Sequence, residues 1–347
     1  MQSRVAYVRK QVMQHATADV KAVLEMKELG FADITRSKFW TARDYELEEA
    51  ETGFRTGQNY NDETQTYLRY GNHTFNNDAN QLAIHYKAEQ NTSARLTTMS
   101  NPAKNIETDP LNNNGTFDIS IGNNEKLVIE FKVNYNRNGN DHVWPAVWMM
   151  GANHGWPSNC EIDMFEVKYT FTNAHGLSIV AAHLNTNADS NSPYSHAAYT
   201  AQDNWGLKKF DTYSGFGDAS SNISGVYDQS QYRHVKLEIT RYSEELKHNN
   251  SVNVYTKDQS SDVWVQSGTG FRYTSDGNGG AWDNDEFWYR YALTDLGEID
   301  RNTIDYNARK QYFLLANIAT QQPSGNGNYD AFLHLKDVRV SWGTVVL

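Results

Sequence analysis

The sequence predicts an all-β sandwich or barrel over most of its length, and three observations carry that expectation. From about Phe31 onward, short runs rich in Val, Ile, Tyr and Phe are separated by clusters of Asn, Asp, Gly and Ser, as in strands joined by turns. Aromatic residues make up 13% of the 347 positions (21 Tyr, 14 Phe and 9 Trp), a globular composition rather than a disordered one. No internal period of roughly 20–50 residues recurs, so a repeat architecture is not indicated.

The first segment reads differently. Val5, Val8, Val12, Ala16, Val20, Val23 and Leu24 fall at steps of three and four, an amphipathic helical stripe. Ser3 is placed to cap the start and Gly30 to end the helix, giving a length of roughly 40 Å. His15 and Asp19 interrupt the heptad seam, which argues against a dedicated coiled coil. The expectation is an N-terminal helical segment over 1–34, packed on the sandwich or on its own copy, or tethering the chain to a larger assembly. A single β domain follows over 35–347, with no linker dividing it.

Strand-like runs then succeed one another: Gln81–Tyr86, Lys126–Val133, Leu177–His183, Tyr232–Thr240, Val252–Thr256 and Gln311–Ala316. The stretch around which they are organised is Cys160-Glu161-Ile162-Asp163-Met164-Phe165-Glu166. Side chains two apart share a strand face, so Glu161 and Asp163 point one way while Cys160, Ile162 and Met164 point the other. Glu166, five residues after Glu161, falls on the apolar face unless one extra residue near Met164-Phe165 forms a β-bulge. Burying a glutamate in the core costs several kcal/mol, so a bulge that aligns three carboxylates is the expected solution.

A row of carboxylates suits glycoside hydrolysis, because crowded like charges separate into one protonated and one ionised carboxyl. Two carboxyls about 5–5.5 Å apart fit retention of configuration. An isolated E-x-D is also explained by the solvated face of an amphipathic strand. The tryptophans of Trp144-Pro145-Ala146-Val147-Trp148 and Trp156-Pro157 favour a sugar-binding cleft instead, since flat apolar rings pack against pyranose C–H faces.

Composition narrows the remaining classes. The net charge of −11 argues against nucleic acid as a partner, and more weakly against a heavily sulfated polysaccharide unless a local basic patch overrules the total. One cysteine allows no internal disulfide. No apolar run approaches the roughly 18 residues of a membrane span, so no membrane partner is expected. No basic-then-apolar leader opens the chain. Delivery to an extracellular substrate is therefore expected either after removal of a signal or by another route, such as carriage on a virus particle.

Glu161-Ile162-Asp163-Met164-Phe165-Glu166 resembles the bulged E-x-D-x-x-E signature of glycoside hydrolase family 16, as found in laminarinases, agarases and κ-carrageenases. Trp144 to Gly151 resembles that family's W-P-A-x-W-x-x-G strand, and Trp156-Pro157-Ser158-Asn159 its W-P-x-x run. Asn61 to Tyr67, Asn80 to Ile84, Thr92 to Leu96, Phe313 to Ala319 and Leu335 to Val340 resemble flanking strands of the same family. Cys160 departs from the usual Gly.

The resemblance implies a jelly-roll β-sandwich with a concave substrate cleft, preceded here by the N-terminal helix. It implies Glu161 as nucleophile, Glu166 as general acid/base and Asp163 between them. Trp144, Trp148, Trp156, His183, Asn317 and Arg95 are the expected substrate-binding residues. No cofactor is expected. The family's calcium-binding Asp in the closing strand aligns with Lys336, and Asp337, one position later, is expected on the opposite face; no metal site is therefore expected there. The implied activity is retaining endo-hydrolysis of a β-linked polysaccharide, β-1,3-glucan first. The alternatives are an agarase- or carrageenase-type galactan hydrolase and a non-catalytic carbohydrate-binding or virion attachment protein.

Overall fold

Strand periodicity and turn chemistry produce the observed elements. The computed structural model describes residues 27–36, 39–43, 66–67, 72–90, 92–98, 119–136, 143–151, 161–167, 178–181, 208–211, 231–243, 245, 250–272, 293, 295–296, 304–305, 309–320 and 329–345. Among these, the strands in chain order are β1 (Lys27–Asp33), β2 (Thr41–Arg43), β3 (Thr66–Tyr67), β4 (His73–Asn76), β5 (Gln81–Tyr86), β6 (Thr92–Ser93), β7 (Arg95–Thr97), β8 (Ile119–Ile121), β9 (Glu125–Asn136) and β10 (Val143–Gly151). They continue with β11 (Glu161–Glu166), β12 (Ser178–Ala181), β13 (Lys208–Asp211), β14 (Arg233–Arg241), β15 (Ser251–Asp258), β16 (Val265–Arg272), β17 (Asp295–Leu296), β18 (Ile304–Asp305), β19 (Lys310–Thr320) and β20 (Ala331–Thr344).

Two eight-stranded sheets form a β-sandwich. The first has the order β16-β15-β14-β9-β20-β5-β4, with β1 also paired to β20. The second has the order β13-β12-β11-β10-β19-β7-β2, with β8 also paired to β19. The central pairings, β9 with β20 and β10 with β19, are antiparallel and join strands distant in sequence. The end of the chain thus returns to the middle of both sheets.

Alternation sets what lies between them. On β9, Leu127, Ile129, Phe131, Val133 and Tyr135 are buried while Lys126, Val128, Glu130 and Lys132 are only partly so. These inward residues pack with Val235, Leu237 and Ile239 of β14, Leu333, Leu335 and Val340 of β20, and Val147, Met149 and Leu314 of the second sheet. Among the described residues the main core is this layer, and a smaller buried cluster lies on the other face of the second sheet.

The helix expected over the first thirty residues differs at its end. Lys27–Asp33 is a strand, paired antiparallel to β20 with a register irregularity between Glu28 and Gly30. The last residue of the helical stripe is Leu24, so nothing in the apolar pattern carries the helix through Gly30. Residues 1–26 lie outside the described residues.

A second expectation is overturned on β20. Simple alternation places Asp337 on the face opposite Lys336. Lys336 pairs with Lys132 and Arg339 with Glu130, so β20 holds one extra residue here, and Asp337 adopts the left-handed φ of 50°. The bulge turns Asp337 outward. Its carboxylate meets Lys132 Nζ at 2.6 Å and accepts from Asn80 Nδ2 at 2.9 Å. Asn80 Nδ2 also donates to Asp33 Oδ2 at 2.8 Å. Asp33 Oδ1 accepts from Thr35 Oγ1, which itself accepts from the Val338 amide. This network ties β1, the turn before β5, β9 and β20 together. Burial acts to raise the Asp337 carboxyl, but the bonds from Lys132 and Asn80 outweigh it and hold the group below its ordinary range.

Candidate active site

The site is built on β11, β10, β19 and β7, neighbours in the second sheet. On β10, Val147 and Met149 enter the inter-sheet core while Ala146, Trp148 and Met150 form a separate apolar cluster on the outer face, with Trp144 packed against it. Phe313 and Leu315 of β19 complete that cluster. Residues directly opposite one another share a face, so the pairing of β10 places its neighbours.

Met150 lies opposite Glu161, Met149 opposite Ile162, and Trp148 opposite Asp163. Then the register shifts: Val147 faces Phe165 and Ala146 faces Glu166, leaving Met164 as the extra residue. Met164 and Phe165 are consecutive, yet both are fully buried in the inter-sheet core. That is the bulge which the three-acid pattern requires. With it, Glu161, Asp163 and Glu166 all occupy outer-face register positions, opposite Met150, Trp148 and Ala146. Val167, just past the strand, returns to the core and donates its amide to the Pro145 carbonyl at 2.9 Å.

Across the sheet the outer face is a grid. One row runs Glu166, Ala146, Asn317, Arg95, and the next runs Asp163, Trp148, Leu315, Thr97. The third row is Glu161, Met150, Phe313. Neighbouring strands are about 4.8 Å apart, so the carboxylates stand roughly 10 Å from the column holding Asn317.

Specific hydrogen bonds fix the rings. Trp144 Nε1 donates to Glu166 Oε1 at 3.1 Å, joining the tryptophan of β10 to the last carboxylate of β11. Trp148 Nε1 donates to Asn317 Oδ1 at 2.7 Å, satisfying a buried indole N–H. The Arg95 guanidinium carbon lies 5.7 Å from the Trp148 ring centroid, within cation–π range.

Burial separates residues that the sequence treats alike. Trp148 is 5% exposed and Arg95 1%, so both lie beneath the surface, whereas Trp144 is only partly buried. Asn317 is 3% exposed and receives the Trp148 indole. Along β11, Glu161 is partly exposed, Asp163 is 3% and Glu166 9% exposed. Of the expected site residues, the structure brings together Glu161, Asp163, Glu166, Trp144, Trp148, Asn317 and Arg95. Trp156 and His183 lie outside the described residues, as does Cys160.

The sequence reading did not single out Met150, Phe313 or Leu315, which form the apolar floor beside the carboxylates. The signal was present in Phe313-Leu314-Leu315-Ala316-Asn317. Alternate residues of that run belong to one face, and Asn317 marks which face is outward.

Scanned against models of known families, the sequence matches none, and no curated protein matches it. Solved structures do resemble it. The catalytic domain of an endo-1,3-β-glucanase (laminarinase) from Thermotoga petrophila RKU-1 aligns with 93% of this chain and 99% of its own, at 15% identity and a TM-score of 0.48. A laminarinase from Flavobacterium sp. UMI-01 aligns over 92% and 100% at 14% identity and a TM-score of 0.42. A Bacteroides ovatus mixed-linkage-glucan family 16 protein, bound to a glucan product, aligns over 90% and 99% at 14% identity and a TM-score of 0.46. At TM-scores below 0.5, the likeness assigns neither family nor activity to this chain.

Proposed function

We propose that this protein is a retaining, endo-acting glycoside hydrolase of a β-linked glucan, with β-1,3-linked glucan as first substrate. The observation that carries the reading is the bulge at Met164, which sets Glu161, Asp163 and Glu166 on one face beside Trp144. A strand whose acids served only solubility would have no need of an extra residue to align the last of them.

In this mechanism the Glu161 carboxylate attacks the anomeric carbon while Glu166 gives its proton to the departing glycosidic oxygen. Glu166 is the more buried of the two. The covalent glycosyl-enzyme is then opened by water, whose proton passes to Glu166. Asp163 lies between the two glutamates and exchanges a hydrogen bond or proton with them. Trp144, which donates to Glu166, both orients that carboxyl and offers ring surface to a sugar. Trp148, Asn317 and Arg95 form the layer beneath. Trp156 and His183 keep the binding roles that the resemblance gives them.

The proposed organisation is a single catalytic domain that begins with β1 rather than at 35, since Lys27–Asp33 pairs with β20, and that is preceded by a segment that packs or tethers. The test is incubation with laminarin, mixed-linkage glucan, agarose and carrageenan, followed by sizing of the products. A ladder of intermediate oligosaccharides from laminarin is expected. Cleavage of agarose or carrageenan alone would move the substrate to galactans. An intact polymer in every case would replace the hydrolase with a carbohydrate-binding protein.

A further inference from the structure

On the outer face of the first sheet, four neighbouring strands carry basic residues at one register level. His234 of β14 lies opposite Lys257 of β15 and Lys132 of β9, and Lys132 lies opposite Lys336 of β20. With strands about 4.8 Å apart, the row extends over roughly 14 Å. Like charges directly opposite one another destabilise a sheet. The chain as a whole carries −11, so its composition does nothing to force lysines together.

The row is only partly compensated. Asp337 meets Lys132 at 2.6 Å. Among the described residues, no carboxylate lies within ion-pair distance of Lys257 or Lys336. Their ammonium groups sit over aromatic rings instead, 4.9 Å from the Trp264 centroid for Lys257 and 4.9 Å from the Tyr232 centroid for Lys336. Lys236, one level along β14, is 4.8 Å from the same Trp264 ring. The rings hold flexible lysine stems in place, lowering the entropy lost when their charges meet an anion.

We propose that this row binds an acidic polysaccharide, a pyranose chain bearing carboxylates along its length, on the side of the sandwich opposite the catalytic carboxylates. Lys257 and Lys336, the two ammonium groups of the row that meet no carboxylate among the described residues, stand three strand separations apart, roughly 14 Å, a span that an extended polyanion bridges and a small anion does not. Single-stranded nucleic acid is less suited, because it binds by stacking bases on bare aromatic faces, and these rings already hold ammonium groups. Duplex nucleic acid carries a charge about every 1.7 Å, a density mismatched to a row that includes Asp337 and belongs to an acidic chain. This surface stands independently of the hydrolase reading, since it shares no residue with it.

The test is affinity electrophoresis of the full chain through polygalacturonate, with neutral laminarin and a single-stranded oligonucleotide as parallel arms. At about 0.01 M salt, where charges act over about 30 Å, polygalacturonate should retard the protein; at about 1 M, where the range is about 3 Å, it should not. The double variant Lys257→Gln/Lys336→Gln should weaken that binding about tenfold with unchanged thermal unfolding. Lys87→Gln, which removes a lysine paired with Asp330 outside the row, should leave it unaltered. Retardation of the double variant equal to that of the parent would overturn the proposal. So would absence of retardation at low salt, or tighter binding to the oligonucleotide.

Discussion

The two outer faces of the sandwich are built by the same device to opposite electrostatic ends. On the second sheet a bulge at Met164 turns Glu166 out beside two further carboxylates. On the first sheet a bulge at Asp337 turns a carboxylate out against Lys132 and Asn80. One extra residue thus concentrates like charges in one place and relieves a row of like charges in the other. Folding alone explains the bulge at Asp337, because its network ties four elements together. It does not explain the bulge at Met164, since three neighbouring acids work against a stable sheet. The stability conceded there fits the catalytic role proposed for the carboxylate face.

Removing the extra residue breaks the comparison most forcefully. Deleting Met164 should return β11 to strict alternation, with Glu166 now four residues after Glu161 and still on the outer face, but without the backbone position that the bulge sets. Displacement of the acid/base carboxyl should lower glucan turnover by a factor on the order of 10², and loss of the fully buried Met164 side chain should cost about 2–5 kcal/mol of stability. Initial rates on laminarin together with urea unfolding measure both. Turnover near that of the parent would show that the bulge does not place Glu166 for catalysis.

A smaller effect is expected from Trp148→Phe, which removes the indole donor to Asn317 while keeping an aromatic ring. The lost buried hydrogen bond should cost about 1–2 kcal/mol, and catalysis should fall less than on loss of a carboxylate. A stability loss below the error of denaturant unfolding would mean that the 2.7 Å bond contributes nothing measurable.

The smallest effect belongs to the first sheet. Burial, then the neighbouring His85 and Lys336, depress His334 from 6.5 to about 4. The unfolded chain therefore binds the proton more readily. Stability should be full above about pH 6.5, fall as pH drops toward 4, and change no further from this group below that. Because the ring is partly exposed, solvent screening reduces the effect to on the order of 1 kcal/mol. Urea unfolding of His334→Gln between those pH values should show a shallower slope than the parent. An equal slope would assign the acid sensitivity to other groups.

Different parts of this design were legible to different degrees. The Met164 bulge could be read from the sequence because three acids and three apolar residues cannot satisfy one alternation without it. The β1 strand could not, because the stripe from Val5 to Leu24 says nothing about Lys27–Asp33, which pairs with the second half of β20 that β5 does not reach. Trp148 shows the limit for binding residues: period two places it on the outer face, but only packing against Phe313, Leu315 and Asn317 decides that it is buried there. The lysine row was invisible for a topological reason. Lys132, His234, Lys257 and Lys336 come from four strands spread over some two hundred positions, and become neighbours only through their register.

The most direct test of the carboxylate face is chemical rescue of Glu161→Gly with azide and an activated β-glucoside, read by the anomeric configuration of the product. Truncation opens space for a small anion beside the anomeric carbon, and a single displacement inverts that centre. If Glu161 is the nucleophile, the rescued product is the α-glycosyl azide. A β-glycosyl azide from this variant would contradict the assignment and give the nucleophile's role to Glu166, and no rescue together with an uncleaved polymer would contradict the hydrolase itself.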